Sequence, residues 1–132
     1  MSSSPLTKRL GIKPGFRVRI LAPPEGYLDQ LQPLPEGAEI VAKGAGPFDL
    51  VQLFVTSKAD VDRQAGKVIG MVRPRGLLWI AYPKKSSKVK TDISRDHGWE
   101  AVEQAGWTGV SLIAIDETWS ALRFRPREQV GT

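Results

Sequence analysis

The sequence predicts an α/β fold: a mostly parallel sheet with helices on both faces, closed by a last strand that runs the other way. Three stretches carry this reading. Gly76-Leu77-Leu78-Trp79-Ile80-Ala81-Tyr82 is apolar without alternation, the pattern of a strand covered on both faces at the centre of a parallel sheet. Val61, Ala65, Val68, Ile69 and Val72 recur at helical spacing, so one stripe of a helix over 58–72 faces that sheet. Near the end, β-rich segments at 110–115 and 120–125 flank Asp116-Glu117-Thr118-Trp119, a connection that suits an antiparallel hairpin.

The other elements follow in order. Residues 6–10 suit a short helix that ends at Gly11, before a Lys13-Pro14-Gly15 turn. A first strand over 16–22 is rich in β-formers and stops at Pro23-Pro24. Residues 25–31 suit a short helix cut off by Pro33 and Pro35. A second strand over 38–42 is separated from a third over 48–55 only by Lys43-Gly44-Ala45-Gly46-Pro47. A parallel crossover takes about a dozen residues or more, so the second strand either pairs as an antiparallel edge or returns through a fully extended link. Both options stay open. Ser57 caps the long helix, with Asp60 in the capping-box position. Gly66 and Gly70 each weaken that helix by about 1 kcal/mol relative to alanine, so it depends on its contact with the sheet. Arg73-Pro74-Arg75-Gly76 is expected to end it and open the central strand. Asp96 can cap a helix over 97–105, with Trp99 and Val102 inward and Gly106 just past its end.

Composition narrows the function classes. At 132 residues the chain suits a single domain, with mobile ends expected near 1–4 and 128–132. Apolar residues at 41% and charged residues at 25% exclude wholesale disorder, and no apolar run reaches membrane-spanning length. The first residues lack the apolar stretch of a secretory signal, so a cytoplasmic location is expected. The absence of cysteine removes thiolate chemistry and cysteine-ligated metal, and a single histidine, His97, leaves no metal site expected. A formal charge of +5 favours acidic partners in a general way.

Particular residues carry a family resemblance. Leu10-Gly11-Ile12-Lys13-Pro14-Gly15-Phe16-Arg17-Val18 looks like the lead-in to the first strand of class I methyltransferases, whose Rossmann-like sheet also closes with an antiparallel strand. Phe48-Asp49-Leu50-Val51 and Arg73-Pro74-Arg75-Gly76-Leu77-Leu78-Trp79-Ile80 look like their fourth and fifth strand regions. Nearly the whole chain is similar to bacterial proteins of domain of unknown function family 3052, through Lys8-Arg9-Leu10-Gly11-Ile12, Pro23-Pro24-Glu25-Gly26-Tyr27, Gly76 to Lys84, and Trp119-Ser120-Ala121-Leu122-Arg123-Phe124. The resemblance implies a three-layer, shortened methyltransferase-like domain and no activity. Two departures argue against S-adenosylmethionine. The glycine-rich turn of the family is here Ala22-Pro23-Pro24-Glu25-Gly26, whose prolines donate no hydrogen bonds, and the acid that binds the ribose gives way to Ala42-Lys43-Gly44. No cofactor is expected. One strand and helix unit is also missing at 44–47.

The central strand feeds Pro83-Lys84-Lys85-Ser86-Ser87-Lys88-Val89-Lys90. Ligands of open α/β sheets sit outside the carboxyl ends of the strands. Lys84, Lys85, Ser86, Lys88 and Lys90 are thus placed to bind an anion, or form a solvated basic loop. If the strands are parallel, Glu25 and Tyr27, Thr56 and Ser57, and Asp116 and Glu117 share the same rim. The expected function is a non-catalytic module for an anionic or phosphorylated ligand, with nucleic acid less supported. A methyltransferase-related transferase with an altered cofactor site and a structural interaction partner are the alternatives. No Walker loop or nucleophile elbow appears, His97 has no nucleophile near it in sequence, and Trp119 is the aromatic best placed for stacking on a base.

Overall fold

The apolar run lies inside β4 (Val72–Pro83), flanked by β3 (Phe48–Phe54) and β6 (Trp119–Pro126) in a six-stranded sheet. The computed structural model describes residues 5–44 and 46–129; of the ends expected to be mobile, 1–4 and 130–132 lie outside the described residues, while 128 and 129 belong to a 3-10 turn over Arg127–Gln129. The remaining strands are β1 (Arg17–Leu21), β2 (Glu39–Val41) and β5 (Trp107–Ala114), in the order β2-β1-β3-β4-β6-β5. Strands β1 to β4 are parallel, and β6 runs against both neighbours, which leaves β5 pointing with the others. This is a mostly parallel Rossmann-like sheet, closed as expected. Among the described residues, no helix is long and apolar enough to cross a membrane.

Burial on both faces explains the unbroken hydrophobicity of β4. Leu78, Ile80 and Tyr82 join one core with Val51, Leu53, Val61, Val68, Trp99 and Phe124, under α3 (Lys58–Ile69) and α4 (Glu100–Gln104). Trp79 and Ala81 join the other with Leu10, Ile20, Tyr27 and Phe54, under α1 (Pro5–Leu10) and α2 (Tyr27–Gln30). Two polar groups pin the short helices: the Trp79 indole donates to the Leu10 carbonyl at 2.9 Å, and the Thr7 hydroxyl donates to the Leu31 carbonyl at 2.8 Å.

Of the two courses left open for the short link after β2, the chain takes the parallel return, with β2 against one side of β1 and β3 against the other. Several boundaries differ from expectation. Helix α3 stops at Ile69 with Gly70 as its cap, and Val72 packs on the same core from β4. Arg73-Pro74-Arg75-Gly76 does not end a helix; it is a register irregularity within β4, where Phe48 opposes Val72 and Leu50 opposes Leu77. Gly76 is required there, since an added Cβ would lie 2.7 Å from Val72 Cγ2 and 3.0 Å from the Asp49 carbonyl. Helix α4 begins at Glu100, so neither His97 nor an Asp96 cap belongs to it; Trp99 occupies the cap position. Residues 94 and 97 instead pair as an isolated bridge. Gly106, at φ +90°, does follow the helix end as expected.

Candidate functional site

The parallel strands bring four loops to one rim: 22–26 after β1, 55–57 after β3, 84–91 after β4 and 115–118 after β5. The chain turns back on itself between β1 and β3, so this is the topological switch point at which such sheets open a crevice.

The lysine loop is held at both ends by its backbone neighbours. Lys84 N–H donates to the Thr118 carbonyl at 2.7 Å, which ties the loop to the β5–β6 connection. Asp92 Oδ1 accepts from Lys58 N–H at 2.8 Å, which ties it to the start of α3. Within it, Ser87 Oγ donates to the Lys84 carbonyl at 2.7 Å and accepts from Val89 N–H at 3.3 Å. Lys85, Ser87, Lys88, Val89, Lys90 and Thr91 surround a concavity of about 360 Å³. Lys85, Ser86, Lys88 and Lys90 are exposed and Lys84 is half-buried. Among the described residues, none of the four lysines forms an ion pair.

At the switch point, residues expected to face a ligand are already engaged. Tyr27 is 1% exposed and sits in the core; its hydroxyl donates to Gln52 Oε1 at 2.6 Å. Burial pushes that hydroxyl far above the ordinary phenol range, against the smaller opposing effect of the Gln52 bond. Phe54 joins Tyr27 edge to face at 4.6 Å and Trp119 at 5.1 Å. Trp119 is thus a packing residue rather than a free stacking platform. Ser57 Oγ accepts from Asp60 N–H at 3.2 Å, while Asp60 Oδ2 accepts from Thr56 N–H and the Thr56 hydroxyl at 3.1 and 3.2 Å. This closed capping box spends both side chains on the helix start. Asp116 likewise turns inward, with Oδ1 accepting from Thr118 and Trp119 N–H at 2.8 Å. Glu25 is exposed beside a separate concavity of about 240 Å³, lined with Pro23, Pro24, Gly26, Leu28 and Asp29 and with no residue of 55–57.

The structure therefore gathers the lysine loop around its own concavity, which none of Glu25, Tyr27, Thr56 and Ser57 lines. Sequence reasoning missed two partners. Gln52, one polar residue in the apolar Phe48-Asp49-Leu50-Val51-Gln52-Leu53-Phe54, was the visible sign of the buried bond to Tyr27. Asp92, the first acid after the lysine run, was the sign of a cap for α3.

The residues present do not fit S-adenosylmethionine in the manner the fold would imply. Pro23 and Pro24 lack N–H groups, the end of β2 presents exposed Ala42 and Lys43 rather than a carboxylate, and aromatic rings pack beneath the crevice. One trace of the glycine turn survives: Ala22 has φ +55°, the left-handed conformation that glycine favours.

No protein-family model matches the chain, and no curated protein matches it. Solved structures do. A SAM dependent methyltransferase from Aquifex aeolicus superimposes with a TM-score of 0.59 at 12% identity, covering 89% of this chain and 85% of that one. The DhpI–SAH complex gives 0.61 at 16% identity, covering 92% and 83%. Aeropyrum pernix fibrillarin, with natively bound S-adenosyl-L-methionine, gives 0.58 at 11% identity, covering 91% and 73%. The fold is that of SAM-dependent methyltransferases.

Proposed function

We propose that this domain is a methyltransferase-like scaffold that binds an anionic, phosphorylated ligand through the loop after its central strand. One observation carries the reading: four lysines without acidic partners follow the carboxyl end of the central strand, and three of them line one concavity. The loop's anchored backbone supports it, because fixed ends reduce the ordering cost of binding. Lys85, Lys88 and Lys90 supply the charge and Ser87 a hydroxyl. Lys84 and Ser86 flank them.

The second reading, a methyltransferase-related transferase with an altered cofactor site, has the fold likeness on its side. Structures bearing SAM or SAH superimpose over about nine tenths of the chain, and Ala22 keeps a glycine-like turn. Calorimetry separates the two. The binding-module reading expects a saturable heat with phosphorylated metabolites, lost on Lys85→Ala and Lys88→Ala, and none with S-adenosylmethionine or SAH. Micromolar binding of S-adenosylmethionine, about −8 kcal/mol, promotes the transferase.

A further inference from the structure

The two edges of the sheet are finished differently. β2 offers three residues, and its Glu39 pairs with Arg17 at 3.6 Å. A short, charged edge resists further pairing. β5 is eight residues long, Trp107-Thr108-Gly109-Val110-Ser111-Leu112-Ile113-Ala114, carries no charge, and pairs only with β6 among the described strands. Val110 and Leu112 are 37% and 40% exposed. Such an edge is a template for another strand.

The faces beside it differ in chemistry. Directly opposed side chains share a face, so Leu112, opposite Leu122, lies on the side of α3 and α4. On that side a cavity of about 270 Å³ runs along β5, lined by the apolar Trp99, Val110, Leu122 and Phe124 together with the charged Arg95, Asp96 and Glu103. Strand alternation puts Arg123 and Arg125 on the opposite face. Both are half-buried, neither has a carboxylate partner among the described residues, and Arg123 Nε is buried without an acceptor. Burial, then the charge of Arg125, both oppose the charge on Arg123. Guanidinium keeps its proton in proteins, so an incoming anion offsets the repulsion between the two arginines.

We propose that the β5 edge docks an extended acidic segment of a partner protein, added as a strand, with carboxylates on the Arg123 and Arg125 face and apolar side chains on the Leu112 face. The Ala114 carbonyl at the end of β5 accepts from Arg9 Nη2; the rest of its outer edge selects a polypeptide, since a strand meets N–H and C=O groups in series. Charge selects an acidic one. A second copy of this chain, at +5, would bring further unpartnered arginines to the same junction.

The test uses the full chain and a fluorescently labelled peptide of about ten residues alternating glutamate and valine, with a lysine–valine counterpart. The acidic peptide is expected to bind and to protect β5 amides from hydrogen exchange. Arg125→Ala and Leu112→Lys are each expected to weaken it about tenfold, or 1.4 kcal/mol, with unchanged melting. Absent binding, equal binding of the lysine peptide, or indifference to both variants overturns the proposal. So does a dimer in sedimentation that Leu112→Lys dissociates, which assigns the edge to a second copy. RNA binding lost on Arg125→Ala, without peptide binding, overturns it in favour of nucleic acid.

Discussion

Two loops on one rim are built in opposite ways. At the switch point, the side chains that topology offers to a ligand are bound to one another: Tyr27 to Gln52, Thr56 and Ser57 to Asp60, and Phe54 between two aromatic rings. At the lysine loop the backbone is tied and the charged ends are free. Strand order fixes where a crevice can open, but the side chains decide whether it does. In this chain the position favoured by the fold is packed, and the next loop along holds the unpartnered charge.

If the switch point is packed core, Phe54→Ala is the change with the largest effect. Phe54 is 5% exposed, and its removal strips both Tyr27 and Trp119 of a ring contact. A loss of about 3–5 kcal/mol is expected in urea unfolding. A loss below about 1 kcal/mol means the rings are not a packed unit, and the contrast between the loops collapses. Tyr27→Phe is expected to cost less, about 1–3 kcal/mol, by leaving the Gln52 amide buried without its donor. Gln52 Nε2 already lacks a partner. Combining Tyr27→Phe with Gln52→Leu should therefore recover most of that loss, and a double-mutant cycle measures it.

The sheet was legible in the sequence because burial on two faces removes alternation, as in β4, and a one-sided helix imposes a stripe, as at Val61, Ala65 and Val68. The rim was legible as an address, because connection order alone places 22–26, 55–57, 84–91 and 115–118 together. What each loop side chain does there was not. Tyr27 falls in the stretch read as a short helix and as part of the rim, yet the turn at Gly26, φ +82°, aims it inward at a residue 25 positions away. The parallel return of β2 was also hidden, since extended links carry no periodic signal. Arg73-Pro74-Arg75-Gly76 looked like a helix stop because proline and glycine punctuate helices and strand irregularities alike.

A smaller effect probes the capped helix start. Thr56 N–H holds the Asp60 carboxyl below its ordinary value, against burial, with Arg63 and the Thr56 hydroxyl adding to the effect. A carboxylate depressed in the folded state contributes stability that is present above its unfolded pKa, about 3.9, and lost as pH falls through the folded value. Asp60→Asn is therefore expected to be about 1 kcal/mol less stable near neutrality, with the gap closing as pH drops below about 4. A gap that holds steady down to acid pH means that charge at the cap contributes nothing.

The smallest effect on stability is expected where the effect on binding is largest. Lys85 and Lys88 are exposed and form no ion pairs, so converting both to alanine should change unfolding by no more than about 0.5 kcal/mol. Binding should respond differently according to the ligand. If Lys85, Lys88 and Lys90 all meet duplex phosphates, affinity falls with salt at a log-log slope of about −2.7, or about −3.6 if Lys84 joins them, from roughly −0.9 per contact. The double variant removes about 1.8 of that slope. A small phosphorylated ligand gives a shallower dependence with a fixed stoichiometry and loses affinity in the same variant. Titration of parent and variant against DNA, RNA and phosphorylated metabolites reads both outcomes. If the two proteins behave alike toward every anion, the free lysines are only a solvated face. The two loops then differ in packing but not in purpose.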